Sequence, residues 1–112
     1  MASREQGVEP IVTTFAASHR LENLNTMVYS EKLGFVRWEH QLSPVGWVRT
    51  ISAWNAAVRA LAREENAPLV DLEESLNGHP ELFVDFVHFN PRGHLLVAKN
   101  IAAVIAELQR RK

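Results

Sequence analysis

Asn66-Ala67-Pro68-Leu69-Val70-Asp71-Leu72 is a turn that runs into a short apolar segment, the length and composition of a buried strand. Immediately upstream, Val48, Ile51, Trp54, Val58, Leu61 and Ala62 recur at helical intervals as far as Glu65, and Ser43-Pro44 supplies a start signal for that helix. Earlier still, Ile11-Val12-Thr13-Thr14-Phe15-Ala16 is a β-branched, apolar run that reads as a first strand. Strand, long helix, strand makes a βαβ unit, whose parallel crossover is right-handed in nearly all known cases. Ahead of it, residues 2–7 read as the last turns of a helix closed by Gly7.

Downstream of Leu72 the chain from Glu73 to Glu81 is polar, with Asn77-Gly78 and Pro80 as turn signals. Asn90 then caps and Pro91 opens a final helix, with Leu95, Ala98, Ile101, Ala102, Ile105 and Leu108 as its apolar stripe. Arg110-Arg111-Lys112 places positive charge at the negative end of the helix dipole. Between the first strand and the long helix, Leu21, Leu24 and Val28 have near-helical spacing that Gly34 and residues 35–40 interrupt. This predicts a helix-containing excursion over the sheet edge, a flap facing substrate.

With 112 residues the chain has room for one domain, and 46% hydrophobic content is that of a folded protein. A net charge of −1 gives no general attraction to nucleic acid or to anionic membranes. The absence of cysteine excludes disulfides and thiolate chemistry. Residues 1–7 are polar, unlike a signal peptide or an anchor.

The chemistry concentrates in Asp85-Phe86-Val87-His88-Phe89-Asn90-Pro91-Arg92-Gly93-His94. A carboxylate and an imidazole three residues apart, where a loop becomes a helix, can point into one cleft with Asp85 orienting His88 as a general base. The same pair also suits a hydrogen-bonded loop that organises the start of the helix. A third reading is a metal site built from Asp85, His88 and His94 with His79 nearby, although the spacing matches no zinc signature.

Placed after the last strand and before the last helix, Asp85-x-x-His88 with Asn90, Pro91, Gly93 and His94 resembles the closing catalytic block of the SGNH/GDSL hydrolase family, the GDSL-like lipases and acylhydrolases. Gly7 to Thr14 is similar to that family's fourth strand and the helix end before it. Trp54 to Ala62 resembles the helix before the fifth strand, and Pro68 to Leu72 that strand itself. The resemblance implies a three-layer α/β/α, flavodoxin-like fold of which residues 1–112 form a partial domain, its C-terminal βαβα half. It implies hydrolysis of a small-molecule or carbohydrate ester through a serine nucleophile, with Asp85 and His88 as the catalytic residues present and no cofactor.

The departures from the family are as definite. No segment matches its Gly-Asp-Ser nucleophile motif or its oxyanion Gly and Asn, and Ser3, Ser18, Ser30, Ser43, Ser52 and Ser75 all lie outside such a motif. A fragment without esterase activity of its own is therefore expected, with self-association through an exposed sheet edge. The alternative is a non-catalytic βαβ binding or assembly module. Trp54 falls on the apolar stripe and is expected in the core; Asn55 is assigned a local hydrogen-bonding role, Asp71 a place in an active site or a cap, Gly93 close helix packing, and Arg20 and Arg37 solvated loops or substrate contacts.

Overall fold

Strands β1 (Val12–Thr13) and β2 (Leu69–Val70) run parallel in the computed structural model, which describes residues 2–27 and 42–112. The register pairs Val12 with Leu69 and Thr13 with Val70, closed by Val12 N–H to Pro68 O at 3.0 Å and Thr14 N–H to Val70 O at 3.2 Å. Around them lie α1 (Ala2–Glu5), a 3-10 helix (Leu21–Thr26), α2 (Pro44–Glu64), α3 (Leu72–Leu76), a 3-10 turn (Pro80–Leu82) and α4 (Pro91–Arg110). The protein is thus mixed α/β and mostly helical, with a two-stranded parallel sheet among the described residues. Within the span of the expected excursion, Leu21–Thr26 form a 3-10 helix, which suits the i, i+3 spacing of Leu21 and Leu24. Its continuation through residues 28–41, with Ser30, Arg37 and Trp38, lies outside the described residues.

The ends of α2 follow local chemistry. Ser43 accepts a hydrogen bond from Gly46 N–H and Pro44 opens the first turn. At the other end Asn66 takes the left-handed conformation at φ 49°, so that Ala67 N–H reaches Ala62 O at 2.8 Å and Asn66 N–H reaches Arg63 O at 3.2 Å. That is a Schellman closure with Asn in the position glycine usually holds. Arg4 of α1 donates to the carbonyls of Glu65 and Asn66 and pairs with Glu9, which ties the N-terminal helix to this turn.

Three expectations are corrected. The first strand is two residues long, not six, because beyond Thr14 side-chain amides replace the ladder: Phe15 N–H donates to Asn55 Oδ1 and Ala17 N–H to Asn77 Oδ1. Trp54 is 66% exposed and Leu61 is exposed too, while Val48, Ile51, Asn55 and Ala62 are buried. The buried line of α2 therefore runs through Asn55, one residue or about 100° from the apolar one. In α4 the packed residues are Leu96, Val97, Ile101 and Val104, not the full stripe through Leu95, Ala98 and Ile105.

The core joins Ala16, Val70, Leu72, Leu76, Leu82 and Phe83, with Ile11, Phe89 and the four α4 residues against them. The polar connection after β2 holds the helix α3, capped by Asp71, whose side chain accepts from Glu74 N–H. Ser75 of α3 donates to Asn100 of α4 at 2.9 Å. Among the described residues no helix is long and apolar enough to cross a membrane.

Candidate active site

Asp85 and His88 occupy a tight hairpin ahead of α4. Phe83 and Phe89 form an antiparallel bridge, Val84 N–H donates to His88 O at 2.8 Å, and Asn90 N–H donates to Leu82 O at 2.9 Å. Two contacts fasten the hairpin to the exit of β1 and the start of α2. Ser18 N–H donates to Phe86 O at 2.9 Å, and the Trp47 ring meets the Phe86 ring at 6.0 Å between centroids.

Within the hairpin, Asp85 divides its two oxygens. Oδ1 accepts Val87 N–H at 2.9 Å and His88 N–H at 2.8 Å, an Asx arrangement that shapes the turn. Oδ2 lies 2.7 Å from His88 Nδ1. An ionised carboxylate only accepts, so Nδ1 carries the proton and the neutral ring keeps its lone pair on Nε2. Burial raises the Asp85 carboxyl's pKa, but the Val87 and His88 N–H donors and the His88 ring outweigh it and hold the group below the ordinary carboxylate value. The side chains are open to solvent, His88 at 73% and Asp85 at 54%. The pairing of Asp85 with His88 anticipated from their spacing is thus present in the hairpin.

Asp85 and His88 are not among the residues that line the cleft of about 500 Å³ between the 3-10 helix, α2 and α3; these are Arg20, Ser52, Arg59, Asp71 and Glu74 among others. Arg20 is not a free loop arginine: its Nε donates to Asn77 O at 2.7 Å, and its stem lies over Gly78, where a Cβ would come within 2.4 Å of Cγ. His88 makes no hydrogen bond to a serine hydroxyl among the described residues; Ser43 caps α2, Ser75 bonds Asn100, and Ser52 lines the separate cleft. Ser18 Oγ does lie 2.7 Å from a histidine, His19 Nδ1, but both are fully buried. No motif flags this adjacent pair in the sequence.

The metal-site residues are not gathered. His79 pairs with Glu81 at 3.3 Å, and His94 meets the Phe89 ring edge-on at 5.8 Å. Among the described residues no group of three or more histidine and acidic side chains is placed to hold an ion.

In the wall of the cleft is a polar network that spacing did not reveal. Arg59 Nε and Nη2 grip both oxygens of Asp71 at 2.8 Å, and Nη2 lies 2.9 Å from Glu73 Oε1. Thr14 donates to Asp71 Oδ1 at 2.8 Å and accepts Glu73 N–H at 2.9 Å. The Arg59 hydrogen bond is the largest influence holding the Asp71 pKa below its ordinary value, against the opposing effect of burial. Because the folded value is the lower one, the unfolded chain binds more protons as the solution is acidified. The contribution is therefore present above the usual carboxylate pKa near 3.9 and lost as pH falls through the folded value. The urea midpoint is expected to drop in that acidic window, and Asp71→Asn to flatten the drop. Equal slopes in the two proteins would contradict this account.

Comparison of the chain with protein-family models, with curated proteins and with solved structures returned no match.

Proposed function

We propose that the chain is the C-terminal half of an SGNH/GDSL-type serine esterase with a three-layer α/β/α fold, in which His88 acts as general base and Asp85 as its orienting partner. The observation that carries the reading is the 2.7 Å contact from Asp85 Oδ2 to Nδ1 of an imidazole that is 73% exposed. His88 Nε2 has no hydrogen-bond partner among the described residues. In this chemistry Nε2 takes the proton of a serine hydroxyl as the hydroxyl attacks the ester carbonyl. It then returns the proton to the leaving alcohol, while Asp85 stabilises the imidazolium. The hydroxyl and the oxyanion donors belong to a segment outside these 112 residues.

Reading the coding frame upstream of Met1 is the test. A strand followed by Gly-Asp-Ser and a helix supports the proposal if the extended protein hydrolyses p-nitrophenyl acetate and His88→Ala slows it by about 10²–10⁴-fold. An upstream frame without that segment overturns it. The 112-residue chain itself is expected to show no turnover; turnover that disappears in His88→Ala would refute the fragment reading.

A second reading, a non-catalytic βαβ binding or assembly module, draws on the two backbone N–H groups that Asp85 Oδ1 accepts, since these alone would justify Asp85 as a turn former. The extended-frame experiment separates the two.

A further inference from the structure

Asn77-Gly78 ends α3 as a turn, and hydrogen bonds from residues 17–23 hold it. Asn77 Oδ1 accepts Ala17 N–H at 2.8 Å, and Gly78 N–H donates to Ala17 O at 2.9 Å. Arg20 Nε donates to Asn77 O at 2.7 Å, and Asn23 Nδ2 donates to Gly78 O at 2.9 Å. Both main-chain carbonyls of the pair, the Asn77 side-chain oxygen and the Gly78 amide are thus engaged by one segment.

Asparagine followed by glycine is a reactive dipeptide, because glycine has no Cβ to shield its nitrogen or to limit rotation about it. In a chain free to rotate, Gly78 N loses its proton and attacks Asn77 Cγ. The new N–Cγ bond closes a five-membered succinimide, and Nδ2 leaves as ammonia. Water then opens the ring at one of its two carbonyls, giving aspartate or, with the main chain rerouted through the side-chain carbon, isoaspartate.

The fold blocks these requirements together. Ring closure needs Gly78 N nearly eclipsed with Asn77 Cβ about the Cα–C bond, and ψ of 136° at Asn77 turns that nitrogen roughly a right angle away. The Gly78 proton is held by Ala17 O, and Ala17 N–H fixes the side-chain amide. Reaction therefore waits until residues 17–23 lift off the turn. Its rate is that of the unfolded chain multiplied by the fraction of time the contact is open.

We propose that Asn77-Gly78 is a site of spontaneous deamidation to aspartate and isoaspartate that the docking of residues 17–23 keeps latent. An isoaspartate adds a carbon to the main chain, so the turn no longer meets both groups of Ala17, the neighbour of the Ser18 that fastens the Asp85–His88 hairpin through Phe86. The modification marks irreversibly each chain in which this contact has opened. The proposal is independent of the esterase reading.

Peptide mapping by mass spectrometry with detection of isoaspartate at Asn77 is the test, on the full chain at neutral pH, native and unfolded in guanidinium chloride. The unfolded chain is expected to convert Asn77 at least about tenfold faster than the native one, a protection that needs only about 1.4 kcal/mol of opening free energy. Arg20→Ala, verified as folded by circular dichroism, removes one of the bonds and is expected to speed conversion in the native state about two- to tenfold. Ser43→Ala removes the distant cap of α2 and is expected to leave the native rate at the wild-type value. A native chain that converts as fast as the unfolded one overturns the proposal, as does an unfolded chain that leaves Asn77 intact. An unchanged rate in Arg20→Ala, or equal acceleration in Ser43→Ala, overturns the role of the 17–23 contact, the reaction then waiting on global unfolding.

Discussion

Replacing Asn55 with alanine is expected to destabilise the fold by about 2–4 kcal/mol. Asn55 is 0% exposed and joins three elements at once. Its Oδ1 accepts Phe15 N–H at 2.7 Å, and its Nδ2 donates to Phe15 O at 2.8 Å and to Glu73 Oε2 at 2.5 Å. Truncation leaves both part-buried backbone groups of Phe15 without the partner that took over from the strand ladder, at about 1 kcal/mol or more each. Asn55→Asp keeps the size but loses the donor and sets a second carboxylate beside Glu73, so it too is expected to destabilise. Urea unfolding would decide the matter, and a loss below about 1 kcal/mol for Asn55→Ala would show that water replaces the amide and that the network is incidental.

Gly93→Ala is the second large effect, and its sign comes from two opposing magnitudes. In an exposed helix the change would gain about 1 kcal/mol from backbone propensity. At this position the new Cβ would lie 2.3 Å from Leu82 O and 2.8 Å from Phe89 Cδ1. The carbonyl cannot swing aside freely, because it is backbone and already accepts Asn90 N–H. Overpacking of this kind costs about 1–3 kcal/mol, more where backbone must move, and it outweighs the propensity gain. The expected result is a net loss of about 2 kcal/mol, a fall in melting temperature of roughly 10 °C for a domain of this size. Since Phe89 bridges to Phe83 across the Asp85–His88 hairpin, the shift would also disturb that pair. A melting temperature equal to or above that of the unmodified protein would refute the close approach of α4 to Leu82.

Gly93 was readable in the sequence as a packing glycine, yet the side of α4 that packs was not. The helix offers two apolar lines, and periodicity cannot choose between them; contact of Gly93 with Leu82 does. The same difficulty decided α2. Trp54 is the larger hydrophobe and Asn55 the polar neighbour, so hydrophobic spacing alone buries Trp54. The fold does the reverse because the backbone leaving β1 at Phe15 needs an amide that can both donate and accept, and α2 brings Asn55 to it. Asp71 was legible as a cap, the role it has at the start of α3, but its pairing with Arg59 and the position of Glu73 beside them were not.

The candidate site divides in a similar way. The Asp85–His88 contact spans three residues, and its Asx turn is closed by the chain's own neighbouring N–H groups, so local geometry suffices to bring carboxylate and imidazole together. Whether they face a cleft is not a local property. The cleft of about 500 Å³ assembles from residues some fifty positions apart and lies on the α2 side.

By itself the amino-acid order determined the βαβ succession, the Ser43 and Asn90 caps, the turn at Asn66 and the Asp85–His88 pairing, each set by interactions within a few residues. Only the tertiary structure decided the early end of β1, the burial of Asn55 in place of Trp54, the packed side of α4 and the position of the cleft. Those outcomes depend on which backbone groups and which faces meet between separate elements, from eleven residues apart for Gly93 and Leu82 to sixty for Ala17 and Asn77, where close packing and the need to satisfy buried hydrogen bonds override the local pattern.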